Sequence, residues 1–488
     1  MATNPLAPAW LREPDDPNDL PARLWPAGTT RASDGQLTVG GVTAGELAAQ
    51  FGTPLYVIDE GDVRARAAGA RAAFVDAFAA VGVVAKVYYA GKAFLSAEIA
   101  RWVAAEGLNL DVCSGGELAV ALAAGTDPAH IGFHGNNKSL AEIDRAVSVG
   151  VGAIVIDSEQ EIARVADAAT RHGVVQQVRL RVNSGVHAHT HEFLATSHED
   201  QKFGVPLGQV ERLVAAIRAE ACLAFLGLHC HIGSQILSAD GFAESATRLL
   251  AVHARLRETG DVPELNLGGG FGIAYTAADE TVAIADLAER IASAVADECA
   301  RLEIPVPTVA FEPGRLIVGP AGITLYTVGT TKPVEVRVGG EQPDNANDSD
   351  ATATRLYVSV DGGMSDNVRT ALYGADYSAR IANRVSQAPA ALVRIAGKHC
   401  ESGDIVVDAE YVPSDVAPGD LLAVPATGAY CWSLSSNYNY LPRPAVVAVT
   451  DGVARVIVRG ETEDDLLAHD TGIAHPQQPG TQQPGEDR

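Results

Sequence analysis

The sequence has few cysteines for its length, and none of them forms a CxxC pair. In a chain of 488 residues this spacing argues for reduced thiols and against a disulfide framework. The first residues also lack the basic and apolar regions of a secretory signal. We therefore expect a cytoplasmic location. The six cysteines are Cys113, Cys222, Cys230, Cys299, Cys400 and Cys431.

Long apolar runs and an excess of positive charge are also missing. No run is long enough to span a bilayer. The formal net charge is -25, and a surface this acidic repels nucleic acid and anionic membranes. Hydrophobic residues make up 47% of the chain and charged residues 20%, so a sizeable core can form. Neither nucleic acid nor a membrane is expected as a partner.

Short apolar runs alternate with amphipathic helical stretches over the first two thirds of the chain. Buried parallel strands read as continuous apolar runs, and alternation with helices indicates right-handed βαβ units. Eight such runs favour a (β/α)8 barrel, an α/β fold, over a doubly wound open sheet. Each run ends in glycine or polar residues, and barrels build their active sites at this C-terminal end of the strands. The runs are 87–90, 110–114, 131–135, 153–158, 178–183, 226–233, 265–270 and 308–315.

After about residue 317 the pattern changes to β-rich runs separated by glycine, proline and aspartate. This composition indicates a separate β domain, a sandwich or a barrel. An acidic polar insertion at 340–353 is expected to be mobile. Before the barrel runs, the patterns predict a helix at 45–52, a strand at 54–59 and a long helix at about 60–82.

These patterns divide the chain into four parts. The first is an extended arm that we expect to pack with the β domain, and the last is a tail whose composition predicts disorder. The predicted parts are the arm (1–44), the barrel (45–317), the β domain (318–469) and the tail (470–488).

Lys92 follows the first barrel run, in VYYAGKAF. Its position predicts that it lies at the mouth of the barrel, where burial would lower the lysine pKa and favour Schiff-base chemistry. A single lysine is a weak signal, because most lysines are solvated. Gly268, Gly269 and Gly270 follow the seventh run. Consecutive glycines let backbone N–H groups wrap a phosphate, although a tight turn explains them equally well.

Glu312 lies in EPGR, after the eighth run. A carboxylate there can pair with the ring nitrogen of pyridoxal 5'-phosphate (PLP), which then accepts the electrons released when CO2 leaves. The alternative is a surface salt bridge. In HIGSQ, His231 can stack on such a ring, and Ser234 can donate to a phosphate.

Two histidine groups, HCH at 229–231 and HAHTH at 187–191, raise the alternative of a metal site. Residues i and i+2 on a strand share one face, but no third ligand cluster is evident. We therefore expect no metal. HAHTH is interpreted as part of a mobile loop near the mouth of the barrel.

The order of the motifs resembles the diaminopimelate decarboxylase family over about residues 45–445. This family belongs to the alanine-racemase-like group of PLP enzymes, which have a barrel and a β domain. The resemblance implies a PLP-dependent carboxy-lyase of lysine biosynthesis that converts meso-diaminopimelate to L-lysine and CO2. The motifs are YAGKA, LDVCSGGEL, HGNNKS, HAHTHEF, KFG, GLHCHIGSQ, LGGGFGIAY, EPGR, DGGMSDNVRTALYGA, CESGD and GAYCWSLSSNYN.

Carried over residue by residue, the resemblance implies a set of cofactor contacts. Lys92 would bond covalently to the PLP aldehyde and act as a catalytic residue. His231 would stack on the ring, and Glu312 would hold the pyridine nitrogen. The other implied cofactor residues are Ser234, Gly268, Gly269, Gly270, Pro313, Gly314, Arg315 and Tyr430.

The resemblance also implies substrate contacts and a homodimer with shared sites. Arg315, Arg369 and Tyr373 resemble the residues that bind the distal carboxylate, and Tyr430 would contact both cofactor and substrate. Cys400 and Glu401 of CESGD would enter from the other subunit, Cys400 as proton donor and Glu401 as ligand of the distal amine. The type of Arg315 suits either a phosphate or a carboxylate.

Three alternatives compete with this interpretation. A decarboxylase for ornithine or arginine would leave two buried guanidinium groups unpaired, because ornithine lacks a second carboxylate. A racemase would favour a basic partner for the ring nitrogen, whereas Glu312 favours an electron sink. A non-catalytic PLP-binding protein would have no need to retain Lys92, Cys400 and Tyr430.

Overall fold

The computed structural model describes residues 4–186, 201–338 and 352–473. The HAHTH segment, the insertion except for its last two residues, and the tail from residue 474 lie outside the described residues, so the predictions made for them stay predictions. Within the described ranges, no helix is long and apolar enough to cross a membrane.

The N-terminal region forms a small antiparallel sheet whose residues pack on the β domain. Leu24 and Trp25 are buried in one cluster with Val57, Leu325 and Val447. Thr43 caps the first helix through a capping box, which satisfies free backbone N–H groups at its start. The elements are β1 (Thr30–Arg31), β2 (Leu37–Val39), β3 (Val42–Thr43), α1 (Ala44–Phe51) and β4 (Leu55–Asp59).

Eight parallel strands form a closed barrel, which confirms the predicted fold class. The first barrel strand pairs with the last, and each predicted run overlaps one strand. A short ninth strand pairs only with its neighbour at the rim. The strands are β5 (Ala85–Ala90), β6 (Asn109–Val112), β7 (Ile131–Phe133), β8 (Ala153–Ile156), β9 (Gln176–Asn183), the rim strand β10 (Val205–Pro206), β11 (Leu223–His229), β12 (Glu264–Asn266) and β13 (Thr308–Phe311).

Helices lie between the barrel strands, and serines begin several of them. Ser96, Ser114 and Ser139 each accept a hydrogen bond from a backbone N–H in the first helical turn, so each loop ends at a defined residue. The helices are α2 (Glu60–Ala80), α3 (Ala97–Ala105), α4 (Gly115–Ala123), α5 (Leu140–Val149), α6 (Glu159–His172), α7 (Val210–Ala219), α8 (Asp240–Arg257), α9 (Ile284–Arg301) and α10 (Arg315–Val318).

The C-terminal part forms a second sheet, as the β-rich runs predict. Its elements are β14 (Gly322–Arg337), β15 (Thr352–Val360), α11 (Arg369–Tyr373), β16 (Arg380–Ile381), β17 (Ala390–Ala396), β18 (Ile405–Pro413), β19 (Leu421–Pro425), β20 (Val446–Thr450), β21 (Val453–Val458) and α12 (Glu463–Leu467). The main path of the sheet runs β18-β17-β15-β14-β4-β20-β21, and β19 pairs with both β14 and β16.

Strand β4 belongs to this second sheet, although it precedes the barrel in the chain. It pairs antiparallel with β14 and parallel with β20. All five of its residues are buried. The barrel therefore begins with β5, and a piece of the predicted segment 45–317 contributes to the other sheet. The four domain bounds stay a prediction.

A stack of aromatic rings fixes two segments that reach the candidate site. Phe74 of α2 stacks on Phe311 at 4.0 Å between ring centroids, and Phe242 of α8 stacks on Phe271 at 4.7 Å. Phe311 directly precedes Glu312, and Phe271 directly follows Gly270. Core packing therefore positions both the carboxylate and the glycine segment.

Candidate active site

Lys92 lies in a 3-10 turn directly after β5. It lines two neighbouring cavities, which also share Ala90, His231 and Glu312. The inner cavity, about 310 Å³, reaches Asp111 and His134. The arginine cavity, about 370 Å³, reaches Arg315 and Arg369. Lys92 is exposed rather than buried, so the argument from burial does not apply to it.

The three glycines form a segment with no room for side chains. A Cβ on Gly269 would lie 2.1 Å from the carbonyl oxygen of Glu312, and one on Gly270 would lie 2.2 Å from that of Gly233. Gly268 has φ +68°, in the left-handed region that favours glycine. The bare backbone at Gly270 lines the arginine cavity. Close packing against neighbouring carbonyl groups therefore requires glycine at these positions.

Glu312 lies at the end of β13 with its carboxylate held by other side chains. Asn266 Nδ2 donates to Glu312 Oε1 at 2.7 Å, and His229 Nε2 lies 3.1 Å from the same oxygen. His134 Nε2 lies 3.6 Å from it. A carboxylate fixed in this way can hold a protonated ring nitrogen.

The charges around Glu312 follow from burial and proximity. Burial raises the pKa of Glu312, but His229 and His134 outweigh that effect and hold its pKa well below the usual range. Burial lowers the pKa of His134 and of His229 to about 4. At neutral pH an ionised carboxylate therefore faces two uncharged imidazoles.

Asp111, at the end of β6, completes this group and was not singled out in the sequence. Its Oδ1 lies 3.1 Å from His134 Nε2. Burial and then the charge of Glu312 raise the pKa of Asp111 well above its usual range. We call Asp111, His134, His229 and Glu312 the carboxylate end of the site. Asp111 and His134 stand at the ends of predicted barrel runs, which was the available signal.

The carboxylate end also bears on the expectation of no metal. His134, His229 and Glu312 each offer a donor atom, and these atoms lie within 4.8 Å of one another. Of the HCH motif, His229 belongs to this group and His231 does not, so the group differs from the pair considered in the sequence. The absence of a metal stays a prediction.

Arg315 and Arg369 reach the arginine cavity from different domains. Arg315, which begins α10, donates from Nη2 to Ser234 Oγ at 2.7 Å and from Nη1 to the Tyr275 hydroxyl. Arg369, which begins α11, donates from Nη1 to the Tyr377 hydroxyl. Ser234, Tyr275, Arg315, Arg369 and Tyr377 are called the arginine end below.

Both guanidinium groups are buried, and they have no acidic partner among the residues that the structure describes. Arg315 is 6% exposed and Arg369 is 4% exposed. Within the described ranges, no carboxylate forms an ion pair with either group; their contacts are hydroxyls and the faces of tyrosine rings. Tyr275 and Tyr377 were missed in the sequence, although both lie in the quoted motifs or directly after them.

The other predicted cofactor and substrate residues lie close by. Tyr430 places its ring 4.6 Å from Arg315 Cζ and donates its backbone N–H to the Ala93 carbonyl at 2.8 Å. His231 Nδ1 accepts from the Gly269 N–H at 3.3 Å, and burial lowers its pKa well below the usual range. The predicted residues that line the arginine cavity are Lys92, His231, Ser234, Gly270, Glu312, Gly314, Arg315, Arg369, Tyr373 and Tyr430. Pro313 contributes a carbonyl that accepts from the Ala90 N–H at 3.2 Å.

Cys400 and Glu401 are not brought to either cavity of their own chain. Both are exposed, and neither is among the residues that line the two cavities. Asp404 holds their loop, because its Oδ2 accepts from the His399 backbone N–H at 2.7 Å and its Oδ1 from that of Met364 at 2.6 Å. The roles predicted for Cys400 and Glu401 stay predictions, as do those of the other site residues.

Comparison with known proteins agrees with this geometry. The family model for the pyridoxal-dependent decarboxylase, pyridoxal binding domain matches residues 62–319. Diaminopimelate decarboxylase of Mycobacterium tuberculosis is 50% identical over 457 residues, which cover 92% of this chain and 98% of that protein. The Bacillus subtilis enzyme is 44% identical, covering 91% and 97%.

Solved structures give the same result. Diaminopimelate decarboxylase from M. jannaschii, in co-complex with L-lysine, has a TM-score of 0.80 at 30% identity and covers 92% of this chain and 98% of that one. The Helicobacter pylori enzyme complexed with L-lysine has a TM-score of 0.76 at 28% identity, with coverage of 87% and 98%. The chain therefore belongs to the diaminopimelate decarboxylase family of pyridoxal-dependent decarboxylases.

Proposed function

We propose that this protein removes CO2 from meso-diaminopimelate to form L-lysine, with PLP as its cofactor. The observation that carries the proposal is the pair of buried arginines, Arg315 and Arg369, which have no acidic partner among the described residues. An unpaired buried charge is unfavourable, and an anionic ligand relieves that cost. A substrate with a second carboxylate supplies such an anion.

The residues present fit PLP. Gly270, Ser234 and Arg315 line one cavity, and the backbone of Gly270, the Ser234 hydroxyl and the Arg315 guanidinium would suit the phosphate. Glu312 would hold the ring nitrogen, and Lys92 would hold the cofactor covalently between the two ends. When bound, PLP supplies an electron sink for the pair left behind as CO2 departs.

The side chains of this chain then have distinct tasks. Glu312 keeps a proton at the ring nitrogen because it is ionised, while Asn266 and His229 orient its oxygens. Arg369 would bind the distal carboxylate, and Arg315, which donates to Ser234, would bind the phosphate, that carboxylate or both. The roles of His231, Tyr373 and Tyr430 are to cover the ring and close the arginine cavity.

We further propose that two protomers share their sites in a homodimer. Cys400 and Glu401 are exposed and line neither cavity of their own chain. In a two-fold dimer each protomer gives this loop to its partner and receives one back. Cys400 would donate a proton to the carbon that has lost CO2, and Glu401 would bind the distal amine.

Mixing two inactive variants tests the shared site. Neither Lys92→Ala nor Cys400→Ala homodimers should turn over well. After subunit exchange of equal amounts, half the dimers are mixed and each has one intact site, so activity should return to about a quarter of wild type. Subunits that are shown to exchange without recovering activity would place Cys400 in its own chain's site.

A substrate panel tests the activity itself. CO2 release should be measured with meso-diaminopimelate, L-ornithine, L-arginine and L-lysine, each with added PLP. Release from meso-diaminopimelate alone is expected, and a visible absorbance band should accompany PLP binding. Preferred turnover of ornithine or arginine would contradict the proposal, as would an absorbance band without turnover of any of the four.

A further inference from the structure

Tyr275 contacts both arginines of the site through different parts of one side chain. Its hydroxyl accepts from Arg315 Nη1. Its ring face lies 4.7 Å from Arg369 Cζ. The side chain is 6% exposed. None of the roles proposed above includes this residue.

Each guanidinium therefore has contacts of its own and one that it shares. Arg315 has Ser234 Oγ at 2.7 Å and the Tyr430 ring at 4.6 Å, and Arg369 has the Tyr377 hydroxyl. Tyr275 is the shared contact, and its ring also packs edge-on against Tyr377 at 5.1 Å between centroids. Because Arg315 begins α10 and Arg369 begins α11, this single side chain connects the barrel to the β domain at the site.

We propose that Tyr275 is a positioning residue that sets the separation of Arg315 and Arg369, and so determines the preference for ligands with a distal carboxylate. This inference rests on the proposed function. Two like charges repel, and each arginine has many rotamers. A ring face attracts one guanidinium while the hydroxyl fixes the other, which holds the pair ready for a carboxylate.

Two ligands separate this role from general structural support. L-Lysine keeps the carboxylate distal to the cleaved bond, whereas 1,5-diaminopentane lacks it but has the same chain and amines. Both would be measured as competitive inhibitors of CO2 release by the PLP-loaded enzyme. The readout is the ratio of the two inhibition constants, because a loosened or partly unfolded site would weaken both ligands together.

Two variants of Tyr275 separate its contact with Arg315 from its contact with Arg369. Tyr275→Phe keeps the ring below Arg369 and loses only the hydroxyl; the inhibition constant for L-lysine should rise about tenfold. Tyr275→Leu loses both contacts, and the rise should be larger, about 50-fold. The constant for 1,5-diaminopentane should change less than about twofold in both, because neither contact serves an amine.

Tyr377→Phe is a comparison variant within the same site, since it removes a hydroxyl from Arg369 and leaves Arg315 held. PLP affinity should fall in Tyr275→Phe because Arg315 loses one contact, but only slightly, because Ser234 still holds Arg315. It should not change in Tyr377→Phe. Melting temperatures of the PLP-loaded variants show whether each is folded. If Tyr275→Leu does not fold, the ratio of the two inhibition constants in Tyr275→Phe alone tests the inference.

The outcomes are distinguishable. If the inhibition constants of both ligands rise in parallel, or if the L-lysine constant is unchanged in a folded Tyr275→Phe variant, the inference about Tyr275 is wrong while the proposed function stands. If wild-type enzyme releases no CO2 from meso-diaminopimelate, the proposed function is wrong, and the inference that depends on it is wrong with it.

Discussion

The two ends of the site hold buried charges of opposite sign. At the carboxylate end, Glu312 is ionised and is surrounded by imidazoles that are uncharged at neutral pH. At the arginine end, two guanidinium groups are surrounded by hydroxyls and tyrosine rings. In both, the neighbours orient the charged group without neutralising it. Each end thus retains the charge opposite to that of the group it would bind.

The two ends also differ in how they are built. The carboxylate end comes entirely from barrel strands or the residues directly after them, for example Asp111 of β6 and His229 of β11. The arginine end combines Arg315 after β13 with Arg369 and Tyr377 of the β domain. The first is positioned by one closed sheet, whereas the second depends on the contact between two domains.

Lys92 is shared by the two ends, so its removal should have the largest effect. Lys92→Ala should abolish covalent retention of PLP and lower turnover by roughly 10³-fold or more. Borohydride reduction followed by peptide mass spectrometry measures the covalent link. Lys332→Ala, an exposed lysine outside both cavities, is the control and should behave as wild type. A PLP adduct that persists in Lys92→Ala would show that another lysine carries it.

A change at the carboxylate end should affect the chemical step more than binding. Glu312→Gln should keep PLP bound but lower kcat by about 100-fold, since a neutral amide cannot keep the proton on the ring nitrogen. Steady-state kinetics and the PLP content of the purified variant check this. Glu289→Gln, on the exposed face of α9, is the control. Unchanged kcat in Glu312→Gln would mean that another group protonates the ring.

A change at the arginine end should instead affect binding. Arg369→Leu removes a charge-assisted contact of about 1.5–3 kcal/mol, so KM for meso-diaminopimelate should rise by roughly 10- to 150-fold. PLP affinity should stay close to that of wild type. Arg290→Leu, which breaks an exposed ion pair with Asp240, is the control. Equal KM values in Arg369→Leu and wild type would contradict its role at the distal carboxylate.

The smallest expected effect is on the pH dependence of the free energy of unfolding, to which the carboxylate end should contribute and the arginine end should not. The pKa of His229 is about 4 in the folded protein, below the value of about 6.5 expected for an unfolded chain. The unfolded state therefore binds more protons between these values, and the free energy of unfolding falls as pH drops from about 6.5 to 4. His229→Gln should reduce this slope by up to about 1.4 kcal/mol per pH unit.

Denaturant unfolding at several pH values measures that slope. Tyr377→Phe, at the arginine end, removes no group that titrates in this range and should leave the slope unchanged. Equal slopes in wild type and His229→Gln would mean that His229 has the same pKa in the folded and unfolded states.

Much of the fold could be predicted because barrel strands are buried on both faces. All eight runs overlap a barrel strand, including the short β7, although several strands begin up to three residues earlier. The same reasoning could not assign β4, since a continuous apolar run indicates burial and carries no information about which strand lies beside it. Its partners begin at Gly322 and Val446, far away in the chain.

The site could be predicted where one motif carried the signal. Lys92, Glu312 and Arg315 each follow a strand in a recognisable run, so their approximate location followed from the barrel. Asp111 also lies in a predicted run, but neither it nor Tyr275 could be assigned a role, because their importance arises from side chains that meet across the barrel or across the domain contact. The exposure of Lys92 also could not be read from its neighbours in sequence.

The position of β4 has a consequence for biosynthesis. A ribosome makes this strand early, but its partners β14 and β20 emerge only after the whole barrel has been made. The barrel can therefore close while β4 still has free backbone edges, which are sites of aggregation. A gene cut at residue 317 would separate β4 from both partners, so each half would lack part of one continuous sheet. The barrel and the β domain therefore have to be expressed as one chain.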